Sequence, residues 1–311
     1  MFEINQTKVT EILLLGFQNP QMFNSLIFVV FLVMYILTLV GNLLIIILVA
    51  KFDSLKSPMY FFLTQLALSD NLLTTVIVPN MLHVIINGGS TISLSGCITQ
   101  FYFYCVSQAS ECFLLAMMSY DRYLAICRPL HYTSVMDFRL NVQLILYSWL
   151  LACMITFMVA PAVSVLQFCG HVIDHYFCDL APLLELSCTK HPAAELIDLI
   201  IGIPFVTIPF LFIIFTYVSI VITILGISSS AGRQKAFSTC SSHLTVVCTY
   251  YGTVIIVYLA PSKKQSFNMN KLLSLLYTVL CPFVNPIIYS LRNDDIKINL
   301  KKFIINGLKR V

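Results

Sequence analysis

Apolar residues follow one another along most of this chain in runs that do not alternate with polar ones. Six tracts contain no Asp, Glu, Lys or Arg: 12–50, 71–110, 140–170, 199–232, 236–262 and 272–291. A helix needs about 20 consecutive apolar residues to cross the hydrocarbon layer of a bilayer. Backbone groups in lipid must pair within their own segment, which favours helices, and the alternation typical of a membrane barrel is not seen. The pattern therefore predicts an all-α membrane protein.

We place seven spans along the chain, and the two longest tracts include flanking loop. The spans are 25–50, 58–86, 97–127, 140–161, 197–226, 236–260 and 272–291. Composition agrees, since 59% of the 311 residues are hydrophobic and only 10% are charged, too few to cover a water-soluble surface. We expect an N-terminal segment 1–24, a seven-helix domain 25–291 and a tail 292–311.

The distribution of basic residues predicts the orientation. With the N-terminus outside, the inner segments hold 13 of the 18 Lys and Arg residues, as the positive-inside rule requires. Lys263, Lys264 and Lys271, after the sixth span, are exceptions that we place in an outer loop. The sequon Asn5-Gln6-Thr7 lies in the segment assigned to the outside, which makes Asn5 a glycosylation candidate. We therefore expect an extracellular N-terminus.

Four of the 11 cysteines fall at or beyond the predicted outer surface: Cys97, Cys169, Cys178 and Cys188. An even number on the oxidising side predicts two disulfides. Four cysteines allow three pairings, and spacing does not choose among them.

Asp70 and Glu111 are the acids that lie well inside predicted spans. Ionisable groups in lipid are costly and usually serve a site. Both lie about midway along neighbouring helices, so they would share a proton or recruit a cation such as Na⁺. The alternative is a single protonated acid hydrogen-bonded to Asn42 or Ser69.

The seventh span ends in PFVNPIIYS, which predicts a distorted helix. Pro286 cannot donate its backbone N–H and crowds the carbonyl of Pro282. We expect the helix to loosen at Asn285, with its amide serving the freed backbone group. Tyr289 lies one turn further on the same face. The alternative is an ordinary proline kink.

Beyond residue 293 the pattern predicts a short amphipathic helix along the inner leaflet. Its apolar positions are Ile296, Leu300, Phe303, Ile304 and Leu308, and its lysines are Lys297, Lys301, Lys302 and Lys309. Lysines at the other positions would face anionic lipid. A frayed basic tail is the alternative.

Five stretches carry a resemblance over nearly the full length. They are PMYFFLTQLALSD (58–70), MMSYDRYLAICRPLHY (117–132), KAFSTCSSHL (235–244), TYYG (249–252) and PFVNPIIYSLRN (282–293). Because these five stretches occur in this order, the chain resembles a rhodopsin-like G-protein-coupled receptor, and more narrowly an odorant receptor of the tetrapod type. Ala67 and Ser119 depart from the usual family residues. The sixth span has Tyr250-Tyr251-Gly252 where most rhodopsin-like receptors have Cys-Trp-x-Pro, a substitution typical of odorant receptors.

The resemblance implies a function, partners and disulfide pairs. It implies a plasma-membrane receptor for small, uncharged, mostly apolar odorants that activates the stimulatory olfactory G protein and raises cyclic AMP. Membrane lipid is a further partner, and we expect neither enzymatic activity nor a nucleic-acid partner. The implied disulfides are Cys97–Cys178 and Cys169–Cys188, and the implied sodium-type site is Asp70 with Glu111.

The resemblance also assigns residues to ligand sensing and to G-protein coupling. Arg122 would contact the G protein, and Tyr251 would sense the ligand. The coupling and switch residues are Asp121, Arg122, Tyr123, Tyr217, Asn285, Pro286 and Tyr289. Spacing along the helices adds a looser set of ligand candidates: Tyr104, Cys105, Gln108, Cys112, Ile201, Phe205, Tyr251, Val254, Tyr258 and Thr278. Mostly apolar side chains with a few polar groups suit a site for small uncharged molecules.

The Asp121–Arg122 pair is expected at the inner end of the third span. We expect it to be an exposed ion pair, which contributes little to stability. A latch that holds Arg122 in the resting state explains the pair better.

Other functions fit the residues less well. An amine receptor would need an acid where Tyr104 stands, and an opsin would need a lysine within 272–291, which has none. A transporter would show internal repeats. Cys240 and His243 lie one turn apart without a third metal ligand, which argues against an enzyme. A non-olfactory receptor of the same fold, for a lipid or metabolite, is the remaining alternative.

Overall fold

The computed structural model describes residues 9–17, 21–164, 166–188, 200, 202–259 and 267–308. Asn5, Ile201 and Lys309 lie outside the described residues, and so does the side chain of Tyr258. The end of the bundle that carries the N-terminal residues is called the outer end, and the opposite end the inner end.

Seven helices form the bundle. The first six are Gln21–Lys51, Pro58–Asn87, Leu94–Cys127, Phe138–Ser164, Ile203–Leu225 and Ser230–Leu259. The seventh consists of Phe267–Leu275, a π-helical turn Leu276–Leu280, and Cys281–Arg292. The first four helices and the seventh contain their predicted spans, and the sixth and seventh begin more than one turn earlier than predicted. The fifth helix, Ile203–Leu225, lies within its predicted span 197–226, and the sixth ends at Leu259, at the edge of the described residues.

Within the described residues, five helices are long and apolar enough to cross a membrane on their own: the first, second, fourth, fifth and seventh. The sixth has a shorter apolar stretch, Cys240–Ile256. The fourth helix turns Leu146, Leu150 and Met154 outward, each more than half exposed. In lipid such an apolar outer surface carries no penalty, because lipid tails are as apolar as these side chains.

Short elements connect the spans at the inner end. A 3-10 turn, Asp53–Leu55, joins the first two helices, and a helix Pro129–Val135 follows the third. The tail forms the predicted helix, Asp294–Leu308. It packs Ile296 into the core, while the Lys51 ammonium lies 4.6 Å from the centre of the Phe303 ring. Ile304 is exposed, together with Ile298 and Ile305.

Three short strands cover the outer end, which the helical pattern did not predict. β1 (Glu11–Leu14) lies between β2 (Ser90–Ser93) and β3 (Val172–Ile173). β1 pairs antiparallel with β2, with Glu11 opposite Ser93, and parallel with β3, with Leu13 opposite Val172. A helix Leu180–Glu185 follows in the same outer loop.

Local chemistry fixes where the second and third helices meet this sheet. The second helix ends at Gly88, whose positive φ of 67° is accessible to glycine at little cost. The third begins after Ser93, whose hydroxyl accepts a hydrogen bond from the Gly96 amide. The turn between these caps therefore sets the position of β2 above the bundle.

Candidate functional site

The outer sheet is tied to the seventh helix by a buried ion pair. Lys271 Nζ lies 2.5 Å from Asp174 Oδ1 and donates a hydrogen bond of 2.8 Å to the Gly16 carbonyl. Lys271 is only 1% exposed, whereas the Asp174 side chain is 28% exposed. The prediction that Lys271 lies in an outer loop was wrong. The seventh helix begins earlier than predicted and carries this residue under the sheet.

Gly16 adopts the backbone conformation that this contact requires. Its φ is 62°, and an added Cβ would lie 2.5 Å from Val84. Its amide donates to the His175 carbonyl at 3.1 Å. The N-terminal segment therefore joins the second helix, the outer loop and the seventh helix at one residue.

Both disulfides occur in the outer region. Cys97–Cys178 links the third helix to the outer loop, and Cys169–Cys188 closes a ring within that loop. Gln100 reinforces the first link, since its Oε1 accepts from the Cys178 amide and its Nε2 donates to the Val76 carbonyl. These pairs are the ones that the resemblance implied.

The loop segment 175–177, called the inserted loop, enters the top of the bundle. Tyr176 is fully buried and donates a 3.0 Å hydrogen bond to Thr278. Phe177 meets the Tyr104 ring edge-on, with centroids 5.2 Å apart. Burial, and secondarily the charge of Lys271, lowers the pKa of His175 to about 3. The histidine is therefore neutral at physiological pH.

Two of the predicted ligand residues, Tyr104 and Thr278, meet beneath the inserted loop. The Tyr104 ring lies 6.3 Å from that of Tyr277 on the seventh helix. Thr278 donates to the Ser274 carbonyl and accepts from Tyr176. The outer cluster is therefore formed by aromatic rings and neutral hydroxyls.

Gln108, Cys112 and Tyr251 meet one level deeper, between the third and sixth helices. Tyr250 connects them: its hydroxyl lies 3.0 Å from Cys112 Sγ and 3.2 Å from Gln108 Oε1. The rings of Tyr250 and Tyr251 pack edge-on at 5.1 Å, and Phe210 of the fifth helix stacks on Tyr251 at 4.6 Å. Val254 is part of the surrounding apolar packing.

Phe205 does not join these clusters, whereas Cys105 interacts electrostatically with Tyr104. Phe205 meets Phe113 edge-on at 4.6 Å and packs with the third and fourth helices, because it points to another side of the third helix. Cys105 packs with the apolar cluster under the outer loop. Phe205 was grouped with Gln108 because the two were expected at similar depth along their helices. The two side chains instead point to different sides of the third helix.

Asp70, Glu111 and Asn285 form a buried polar cluster in the middle of the bundle. Asn285 Nδ2 lies 3.2 and 3.1 Å from the two Asp70 carboxylate oxygens. Glu111 interacts electrostatically with Asp70, and its Oε1 has no hydrogen-bond partner among the described residues. Carboxylate and amide oxygens suit a hard cation, and the unpartnered Oε1 is a free ligand. The residues therefore fit a sodium ion.

Two expectations about this region need correction. The Asn285 amide serves Asp70 rather than a freed backbone carbonyl of its own helix. The main distortion is the π-helical turn Leu276–Leu280, about two turns before the predicted position at Asn285. Pro286 itself lies within a continuous helix and packs against Gly41, where an added Cβ would lie 3.1 Å away.

At the inner end, Asp121 and Arg122 form a buried pair. Arg122 Nη2 and Nε lie 2.6 and 3.1 Å from Asp121 Oδ2. Asp121 is 0% and Arg122 9% exposed, so the expectation of an exposed pair was wrong. The short helix Pro129–Val135 covers the carboxylate and places the Tyr132 hydroxyl 2.9 Å from Asp121 Oδ1. Burial and the charge of Asp121 raise the pKa of Tyr132, so the phenol keeps the proton that it donates.

Arg122 faces a cavity of about 710 Å³ at the inner end, between the second, sixth and seventh helices. Tyr60, Gln234, Arg292 and Asp294 line it as well. Arg292 Nη1 donates a 2.7 Å hydrogen bond to Thr245 and so holds the sixth and seventh helices together.

Above this cavity His243 joins three helices. Its Nε2 lies 3.2 Å from the Leu115 carbonyl, which can only accept, so Nε2 carries the proton. Its Nδ1 accepts from the Tyr217 hydroxyl at 2.7 Å. Tyr289 is buried nearby, and its hydroxyl has no hydrogen-bond partner in the part of the chain that the structure describes. Tyr123 stacks with Tyr120 at 6.4 Å. Tyr217 and Tyr289 thus lie between the buried polar cluster and the inner cavity.

Sequence reasoning missed Tyr132, Tyr176 and Tyr250. Tyr250 and Tyr132 lie within two quoted stretches, yet no spacing rule shows that Tyr250 faces Gln108. Tyr176 lies in a loop whose entry into the bundle depends on the Cys97–Cys178 link.

The seven-helix arrangement, the disulfide-anchored loop and the inner Asp–Arg pair define a fold of the rhodopsin class. The structure matches the crystal structure of squid rhodopsin with a TM-score of 0.75 over 94% of this chain and 88% of that one. Sequence identity is 17%, so this likeness shows the fold.

The chain belongs to the olfactory receptor family. The family model described as "Olfactory receptor" matches residues 31–307. The human protein "Olfactory receptor 10A7" is 45% identical over 96% of this chain and 95% of its own length. The rat "Olfactory receptor 1f45" is 44% identical over 98% and 97%. The chain is therefore a multi-pass G-protein-coupled receptor of the plasma membrane and not an enzyme.

Proposed function

We propose that this receptor binds small, uncharged, mostly apolar volatile molecules in the outer half of the bundle and activates the stimulatory olfactory G protein, which raises cyclic AMP. The observation that carries the proposal is the chemistry of the two clusters around Tyr104 and Gln108. Both consist of aromatic rings, hydroxyls, a thiol and one amide. Above them, Lys271 and Asp174 pair with each other. The side chains that form the two clusters carry no formal charge, so they offer a charged ligand no ion pair.

The proposed site of G-protein coupling is the Asp121–Arg122 pair, which lies beside the inner cavity. In the resting state Asp121 Oδ2 binds the Arg122 guanidinium, and the Tyr132 hydroxyl donates to Asp121 Oδ1. Parting of the inner helix ends frees Arg122 to contact the G protein. The switch residues Tyr217, Asn285, Pro286 and Tyr289 lie between the two ends, where a shift of the sixth or seventh helix reaches Arg122.

The outer end faces the extracellular side, with the N-terminus outside and the tail 292–311 in the cytoplasm. Both disulfides lie at the outer end, and disulfides persist on the oxidising side of a membrane. Asn5 is the proposed glycosylation site.

A sodium ion would be held by Asp70 and Glu111. It would supply positive charge to two carboxyl groups that cannot both stay ionised in a dry interior without compensation. Asn285, which already contacts Asp70, would orient that carboxylate.

A cyclic-AMP assay in cells that express the receptor with the olfactory G protein tests the function. A diverse volatile library should contain compounds that raise cyclic AMP above cells without the receptor. Arg122→Ala should abolish the response while ligand binding is retained. Arg139→Ala, an exposed arginine at the inner end, is the matched control and should respond normally. Surface expression without any response or basal activity would contradict the proposal.

A further inference from the structure

The inner half of the sixth helix, 230–247, is joined to other helices by hydrogen bonds of two described side chains. His243 bonds to the third and fifth helices, and Thr245 accepts a 2.7 Å hydrogen bond from Arg292 Nη1 of the seventh. The sixth helix contains no Asp or Glu. It therefore cannot offer a carboxylate to Arg122 across the inner cavity, and its inner end is held through neutral groups of its own.

The bond between Arg292 and Thr245 has a charged donor and an acceptor that is already fixed in place. A guanidinium stays protonated, and hydrogen bonds with a charged partner are roughly twice as strong as neutral ones. The Thr245 hydroxyl donates to the Ser241 carbonyl of its own helix at 2.7 Å, which leaves its lone pairs for Arg292. Thr245 is also half-buried, so water competes less for the bond than at a fully exposed site.

The seventh-helix side of this bond is anchored to the second helix. The seventh helix ends at Arg292, and the next residue, Asn293, caps the tail helix. The Tyr60 hydroxyl of the second helix lies 3.2 Å from Asn293 Oδ1 and 2.9 Å from Asp295 Oδ2. These contacts keep the junction beside the second helix. An outward shift of the sixth helix therefore separates Thr245 from Arg292.

We propose that Arg292 is a positioning residue for signalling, whose hydrogen bond to Thr245 holds the inner end of the sixth helix in the resting state. The inference rests on the proposed function, in which the inner helix ends part before the G protein binds. The Asp121–Arg122 bond joins neighbouring residues of the third helix, so it cannot by itself hold the sixth. The bond from Arg292 crosses between two helices and supplies that restraint.

Removing the acceptor on the sixth helix tests the restraint. Thr245→Val keeps the shape of the side chain, and it should shift the receptor about 10-fold toward the parted arrangement and raise basal cyclic AMP by a similar factor. Thr245→Ser keeps the hydroxyl and should behave as the unmodified receptor. Thr249→Val is the matched control, because the Thr249 hydroxyl donates to the Thr245 carbonyl within the same helix at 2.9 Å and bonds to no other described helix.

The separation of the helices is measured directly in purified receptor in lipid nanodiscs, without G protein. Two distance probes are introduced as unnatural amino acids at positions 237 and 302, which are exposed on the sixth helix and the tail helix. We expect the long-distance population to grow in Thr245→Val but not in Thr245→Ser or Thr249→Val. Arg292→Met should match Thr245→Val, and the double variant should exceed neither, because both residues act through one bond. Since Arg292 also lines the inner cavity, its variants are compared by distance alone.

An unchanged probe distance in Thr245→Val would overturn the inference. So would additive effects of Thr245→Val and Arg292→Met, which would show that the two residues act separately. An equal change in Thr249→Val would assign the effect to the bond within the sixth helix and would overturn the inference as well. A longer probe distance without a rise in cyclic AMP would instead contradict the proposed coupling to the stimulatory olfactory G protein and leave the restraint standing.

Discussion

Replacing Asp174 with Asn leaves the Lys271 ammonium buried without a counter-charge, whereas replacing Lys271 with Met leaves a carboxylate that water still reaches. Lys271 is 1% exposed and Asp174 28% exposed, and their atoms are 2.5 Å apart. Removing one member of a fully buried pair costs about 3–5 kcal/mol, mainly because the other charge stays unpaired. Asp174→Asn should therefore cost about 3 kcal/mol, since the Gly16 carbonyl still accepts from Lys271. Lys271→Met should cost only about 1–2 kcal/mol, because the exposed part of Asp174 is hydrated.

The test compares the melting temperatures of the two single variants and of the double variant. Thermal unfolding of the receptor in lipid nanodiscs should give the lowest melting temperature for Asp174→Asn, then Lys271→Met. The double variant should be more stable than Asp174→Asn alone, because no buried charge remains. The control is Lys297→Met in the tail helix, where the pair with Asp294 is solvent-exposed and contributes less than about 1 kcal/mol. Equal losses for the two single variants, or a larger loss for Lys271→Met, would refute this account of the pair.

Three further predictions concern the two ends of the bundle. Tyr132→Phe removes a hydrogen bond worth about 1 kcal/mol from Asp121 and should raise basal cyclic AMP roughly fivefold; an unchanged basal level would show that Tyr132 does not hold the latch. Burial lowers the pKa of His175 to about 3, so the unfolded chain binds a proton below pH 6.5 that the folded receptor does not. Stability is therefore complete above pH 6.5 and should fall by about 1.4 kcal/mol per pH unit between 6.5 and 3, with a flatter profile in His175→Asn. Replacing both Cys169 and Cys188 with Ser opens a loop of sequence separation 19 and should cost about 3 kcal/mol in thermal unfolding; no loss would mean that the outer sheet orders this loop without the disulfide.

Much of the site could be foreseen because the relevant signals are local. Asp70, Glu111 and Arg122 are conspicuous as charges in or beside apolar runs, and ionisable groups there usually serve a function. Helical spacing placed Gln108 and Cys112 on one face, and the structure brings both to Tyr250. Spacing within one helix does not state how that helix is rotated against its neighbours, which is why Phe205 was grouped with the wrong partners.

The sequence alone determined the membrane class, the seven spans, the amphipathic tail and the presence of four outer cysteines. Each follows from the composition of one segment, because a span must satisfy its own backbone and present apolar side chains to lipid whatever its neighbours do. The tertiary structure decided the burial of Lys271 under Gly16, the bond between Asn285 and Asp70, and the cover that Tyr132 places over Asp121. The first two contacts join residues 255 and 215 positions apart. Contacts of this kind depend on helix rotation and loop docking, which are set by packing between segments, and no pattern within a single segment carries that information.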